Sequence, residues 1–195
     1  MGTRERILDQ SIRAFNHSGT AQVSVLAIAT ELGISPGNLY YHFRGKEEIL
    51  IALLAECDLA LGRLTKGVED EIQRRADFEP YLFSLLRVCD HFRFLFRDQE
   101  AFRFAHAGLE QKWLRMLGGL RRFSRQLLAR LDQIEGLGLA AEPRDRLADC
   151  LMLVALGGLS FELEADRDRE TQIRRTLGRL DALLRPYQRE VTPAH

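Results

Sequence analysis

Apolar residues recur at three- and four-residue spacings along most of the chain, and alternating stretches are scarce, so the pattern predicts helices and no sheet. Ile7, Leu8, Ile12 and Phe15 mark one face of a first helix over residues 3–16, which His17, Ser18 and Gly19 bring to a stop. Leu26, Ile28, Ala29 and Leu32 mark a second, short helix with Ser24 before it as a cap. Leu39 and Phe43, four apart, share the inner face of a third. Ile49, Leu50, Leu53 and Leu54 form the stripe of a fourth, running from about residue 46 into the sixties.

Farther along, Arg74, Arg75, Ala76 and Asp77 read as a loop before a helix from Pro80 with Leu82, Leu85, Leu86 and Cys89 inward. Its end is rich in aromatic residues (Phe92, Phe94, Phe96, then Phe102 and Phe104), with a break at Arg97 and Asp98. A long helix is expected over residues 109–131, with Trp113, Leu117, Leu120, Phe123 and Leu127 on its stripe and Gly118 and Gly119 as a point where it bends or loosens. Residues 135–142 read as a loop, and two helices, over 143–165 and 169–187, close the chain. In the first of these, residues 149–164 (DCLMLVALGGLSFELE) are apolar nearly all round, which a surface helix is not. This is either a core helix or one that meets a second subunit on one face, where Gly157 and Gly158 would permit close approach. Leu177, Leu180, Leu183 and Leu184 stripe the last helix.

Residues 24–46 carry the chemistry. Gly33 stands where the chain must turn between the second and third helices, and glycine takes the positive φ such a turn needs. Ile34 can plug the space between the two helices. Ser35 and Pro36 open the third helix as a cap followed by a proline, whose missing N–H would be unpaired there in any case. Its outer face holds Gly37, Asn38, Tyr41 and His42, where a solvated helix would hold Glu and Lys. Two readings follow: a helix-turn-helix that lays its second helix in the DNA major groove, or an ordinary helical hairpin in a larger bundle.

In this stretch the sequence resembles the TetR family of bacterial transcriptional regulators. The family's pattern is T-x-x-x-IA, a Gly-Val/Ile-Ser turn, x-x-x-LY-x-HF and a later Lys. Ile28 and Ala29, then Gly33, Ile34 and Ser35, then Leu39, Tyr40, His42 and Phe43, and finally Lys46 agree in order and spacing. Ser24 replaces the usual Thr, and Ala27 stands where Asp is common. The resemblance implies an all-α protein. An amino-terminal three-helix helix-turn-helix domain over residues 1–47 would precede a larger helical effector-binding and dimerisation domain over 48–195. It also implies a repressor that acts as a homodimer on a palindromic double-stranded DNA operator and is released by a small apolar or aromatic effector. The last two helices of each subunit would form a four-helix interface.

The DNA-binding residues implied are Ser24, Ser35, Pro36, Gly37, Asn38, Tyr40, Tyr41, His42 and Lys46. Asn38 has the groups to pair with an adenine edge, while Tyr41, His42, Tyr40, Lys46 and Ser24 suit phosphates. The effector pocket implied is aromatic and aliphatic, formed by Cys89, Phe92, Phe96, Phe104, His106, Trp113, Met116 and Phe123. The same residues could instead simply fill a core.

Composition narrows the alternatives. The 195 residues hold 28 basic and 28 acidic side chains, a formal net charge of zero, which argues against a broad nonspecific nucleic-acid binder. Weak binding by one neutral module favours a symmetric pair, whose binding free energies roughly add. Three cysteines, widely spaced, suggest small buried hydrophobes and neither a disulfide framework nor a zinc site. The five histidines show no metal-ligand spacing, and no P-loop or nucleophile elbow occurs, so no enzyme, cofactor or metal is expected. No long apolar run or secretory pattern is seen, and a cytoplasmic protein without a membrane partner is expected. Two alternatives of the same fold stay open: a dimeric helical adaptor without DNA binding, and a transcriptional activator.

Overall fold

A computed structural model describes residues 2–103, 107–160 and 168–187. They form eleven α-helices and a terminal 3-10 turn at Arg185–Tyr187, with no strand among the described residues. No helix is long and apolar enough to cross a membrane, and no cluster of His, Cys, Asp and Glu able to hold a metal ion occurs among those residues. The chain divides into two compact units. One joins Met1–Ala60 to His91–Met116, and the other joins Leu61–Asp90 to Leu117–His195.

The first unit opens with α1 (Thr3–Ser18), whose Ile7, Leu8, Ile12 and Phe15 are all buried. It ends where Gly19 takes φ 86° and donates its N–H to the Phe15 carbonyl. Helices α2 (Val25–Glu31) and α3 (Pro36–His42) follow, each seven residues long, too short to persist without caps and tertiary packing. Both have caps. Ser24 Oγ accepts from the Ala27 N–H at 3.1 Å, and Ser35 Oγ from the Asn38 N–H at 3.2 Å. Gly33 has φ 64°, which lets the Ile34 N–H reach back to the Ala29 carbonyl at 3.0 Å and close the turn. Then comes α4 (Lys46–Thr65), continuous through the expected boundary at residue 47, with Ile49, Leu50, Leu53 and Leu54 buried. The later part of the unit is built from α7 (Phe94–Arg97), α8 (Glu100–Arg103) and the start of α9 (Ala107–Glu135). Phe15 and Phe94 rings meet at 5.3 Å, Phe102 stacks on Trp113, and the Trp113 indole N–H donates to the Leu95 carbonyl at 2.9 Å.

The second unit includes the rest of α4 and α9, the short α5 (Val68–Glu71), most of α6 (Arg75–His91), α10 (Ala141–Ser160) and α11 (Arg169–Leu184). Helix α10 packs along α11. Arg121 and Arg125 of α9 both fork onto Asp149 of α10, which holds that carboxyl well below the usual carboxylate range. Asp168 caps α11 by accepting the Thr171 N–H at 3.0 Å.

Several boundaries differ from the expectations, each for a local reason. Helix α6 starts at Arg75, not Pro80, because Asp77 Oδ2 accepts the Gln73 and Arg74 N–H groups at 3.1 and 3.0 Å and caps the first turn. Gly118 and Gly119 do not interrupt α9. Helix α10 is described only to Ser160, so the expected end near 165 lies outside the described residues. Leu26 is not a core residue but 52% exposed, because the inward stripe of α2 is Val25, Ile28, Ala29 and Leu32, and Leu26 falls off it. Leu183 is likewise exposed, at 39%. Cys57 and Cys89 are buried as expected, whereas Cys150 is exposed on α10.

Candidate nucleic-acid interface and ligand cavity

Helix α3 turns one face inward and one outward. Leu39 is fully buried and Phe43 nearly so, with the Arg4 guanidinium over the Phe43 ring at 5.1 Å. Gly37, Asn38 and Tyr41 face solvent, and Tyr41 reaches 85% exposure. Its ring stands edge-on to His42, which is half-buried, with centroids 5.1 Å apart. Tyr40 is 47% exposed, and Ser24, Ser35 and Pro36, at the starts of α2 and α3, are exposed as well. An exposed amide next to an exposed phenol, on a helix clamped by a buried leucine, is an outward ridge of hydrogen-bonding groups.

Lys46 has a structural task that spacing did not reveal. Its Nζ donates to the Thr20 carbonyl at 2.7 Å and the Val23 carbonyl at 3.1 Å, fixing the loop that leads to α2. An ammonium has three donors, so one remains beyond these two.

The same loop is held from the other side by a second group the sequence reading missed. Arg97 donates to the Phe15 carbonyl at 2.6 Å and the Asn16 carbonyl at 2.9 Å, so a cation sits at the negative end of α1. Asp98 pairs with Arg97 at 2.6 Å and accepts the Thr20 N–H at 2.7 Å. Burial would raise the Asp98 pKa, but hydrogen bonds from Arg97 and the Thr20 amide outweigh it and hold the carboxyl below its ordinary value. Asn16 completes the junction. Its side-chain amide donates to the His91 carbonyl at 2.8 Å and accepts the Phe94 N–H at 3.1 Å. The signal in the sequence was the Arg97–Asp98 pair, which reads only as a helix break until its partners some 80 positions earlier are known.

In the second unit, α6, α9, α10 and α11 line an apolar, partly open cavity of about 70 Å³. Its wall includes Phe78, Leu82, Leu86, Leu127, Met152 and Leu180. Of the expected pocket residues, Cys89 and Phe123 line it. Burial pushes the Cys89 thiol up to about 12, so it stays neutral. Phe92, Phe96, Trp113 and Met116 are buried in the first unit, and Phe104 and His106 lie outside the described residues.

Two capped short helices around a glycine turn, with a separate all-helical unit, define a helix-turn-helix protein of two parts. The family described as the bacterial transcriptional repressor TetR matches residues 60–195, and that of the bacterial regulatory proteins of the tetR family matches residues 7–53. The chain belongs to the TetR family of bacterial transcriptional regulators. It is similar to a fatty acid metabolism regulator protein of Bacillus subtilis, 30% identical over 93 residues, covering 48% of this chain and 45% of that one. It is also similar to the transcriptional regulator UidR of Escherichia coli K12, 38% identical over 68 residues, 34% of this chain and 35% of that protein. These matches thus span less than half the length of either relative. A TetR-family regulator from Marinobacter aquaeolei superposes over 97% of this chain and 93% of its own, with a TM-score of 0.84 at 25% identity.

Proposed function

We propose that the chain is a cytoplasmic, sequence-specific DNA-binding repressor that acts as a homodimer on a palindromic operator and is released by a small apolar effector. The exposed ridge of Asn38 and Tyr41 over buried Leu39 carries this reading. Asn38 pairs with an adenine edge, and Tyr41, His42, Tyr40 and Ser24 contact phosphates. Gly37 and Pro36 let the helix come close to the bases. The remaining donor of Lys46 serves a phosphate while its other two keep the α1–α2 loop in place. No residue is assigned a catalytic role.

Dimerisation is supported by the second half of α10, where Leu153 is 65% exposed among the half-buried apolar residues Leu151, Met152, Val154, Ala155 and Leu156. The effector is supported by the apolar cavity of the second unit. The chain passes between its two units within α4, α6 and α9, so a change in one unit has continuous helices along which to reach the other. Release requires that the effector bind the DNA-free form more tightly than the DNA-bound form.

A gel-shift with DNA from upstream of the chain's own gene tests the reading, and absence of any retarded band would favour the adaptor. On a retarded fragment, Asn38→Ala is expected to reduce discrimination against a mutated base pair by about tenfold. Lys46→Ala is expected to weaken all fragments alike. Competition binding decides, and equal loss of specificity from both changes would contradict the assigned roles.

A further inference from the structure

Two voids of the second unit share a wall. The apolar cavity and a solvent-facing groove of about 370 Å³ beside α6 and α11 are both lined by Phe78, Leu82, Leu180 and Leu184. The groove alone falls in the size range of small-molecule sites, roughly 300–1,000 Å³. Its rim differs in kind from its floor, since it carries Arg75, Glu79, Arg174 and Asp181. Arg75 stands where the two meet. Its guanidinium lies over the Phe78 ring at 5.4 Å and is held by Glu135 at 3.2 Å and Asp181 at 3.0 Å. Asp181 is also shared with Arg185 at 3.4 Å. Arg75 and Asp181 are both partly exposed, and ion pairs of that kind are weak enough to exchange.

We propose that this unit binds single-chain amphiphiles, the hydrocarbon tail passing Phe78 into the cavity and a carboxylate head replacing Asp181 on Arg75. The proposal rests on the effector reading above and names the chemical class. The lining of the smaller cavity rewards only hydrocarbon. Its one hydroxyl, on Ser124, already donates to the Arg121 carbonyl. Its volume of about 70 Å³ is too small for a bulky ring system but takes the end of a chain. The head must accept hydrogen bonds, because a guanidinium has donors alone, and a carboxylate matches its fork.

Calorimetry on the full chain, with decanoate and decan-1-ol as probes, tests this. Asp181→Asn removes the competing anion and is expected to tighten decanoate about tenfold, a gain that damage to the fold would not produce. Arg75→Met keeps an apolar cover on Phe78 and is expected to weaken decanoate about tenfold, while decan-1-ol shifts less than about twofold in either variant. Ala155→Phe, which fills the cavity, is expected to abolish binding of both probes. The proposal is overturned if neither probe binds, if Asp181→Asn leaves decanoate unchanged, if the alcohol follows the acid in both variants, or if Ala155→Phe binds normally. Gel-shifts on the same preparations separate the two readings. DNA retention without amphiphile binding sinks this inference alone, and amphiphile binding without DNA retention sinks the regulator reading alone.

Discussion

Arg97→Met is expected to lower the free energy of unfolding by about 3 kcal/mol. The side chain serves three acceptors at once: the carbonyls of Phe15 and Asn16 and the carboxylate of Asp98. Methionine keeps much of the aliphatic stem but supplies no donor. The last turn of α1 then ends on partly buried carbonyls without their cation, and Asp98 loses the charge that offsets its burial. For a chain of this size the loss corresponds to a fall in melting temperature of roughly 6–12 °C. The pH dependence identifies the cause. The Asp98 carboxyl is held below its ordinary value in the folded state, so its contribution is complete above the unfolded carboxylate pKa, about 4, and fades as pH falls below it. The gap between wild type and variant should therefore narrow under acid conditions. Thermal unfolding followed by circular dichroism at pH 7 and pH 3 measures both. A variant that melts within about 2 °C of wild type at pH 7 would show that the junction carries no stability.

This junction also shows where sequence reasoning reaches its limit. The helix-turn-helix was legible because its chemistry is local. Ser24, Gly33 and Ser35 each act on backbone groups a few positions away, and the structure places their caps and the turn as spacing predicts. Leu39 and Phe43 were legible for the same reason, since a four-residue repeat fixes a shared face. Arg97, Asp98 and Asn16 were not, because their partners are set by tertiary packing across some 80 residues. The same holds for Lys46, whose charge suggested phosphate and whose nearest acceptors are Thr20 and Val23. For the aromatic residues, apolarity announces burial but not which unit buries them. Phe96 and Trp113 fill one core, while Cys89 and Phe123 face a void in the other. Leu26 marks a finer limit, since one residue of phase on a seven-residue helix separates core from solvent.

Gly158→Val is expected to cost about 3 kcal/mol, at the upper end for overpacking a tight contact. A Cβ at Gly158 of α10 would stand 2.7 Å from Thr176 Oγ1 on α11, closer than real Cβ contacts come, and a tight 3.1 Å from Thr176 Cγ2. Thr176 cannot swing aside freely. It is fully buried, and its hydroxyl donates to the Gln172 carbonyl at 2.9 Å. The two helices must therefore part, and the close packing of α10 along α11 is lost with them. A double-mutant cycle isolates this cause. Gly158→Ala should destabilise the wild-type background but cost nothing measurable once Thr176→Ala has removed both clashing atoms. Gly178→Ala is the control. It lies within α11, yet a Cβ there meets nothing within 4 Å. Relief of glycine's backbone entropy should then stabilise it by about 0.5–1 kcal/mol. The same exchange on facing helices is thus expected to have opposite signs, which chemical denaturation resolves directly. If Gly158→Ala and Gly178→Ala shift the midpoint in the same direction, close approach of the helices is not what holds a glycine at 158.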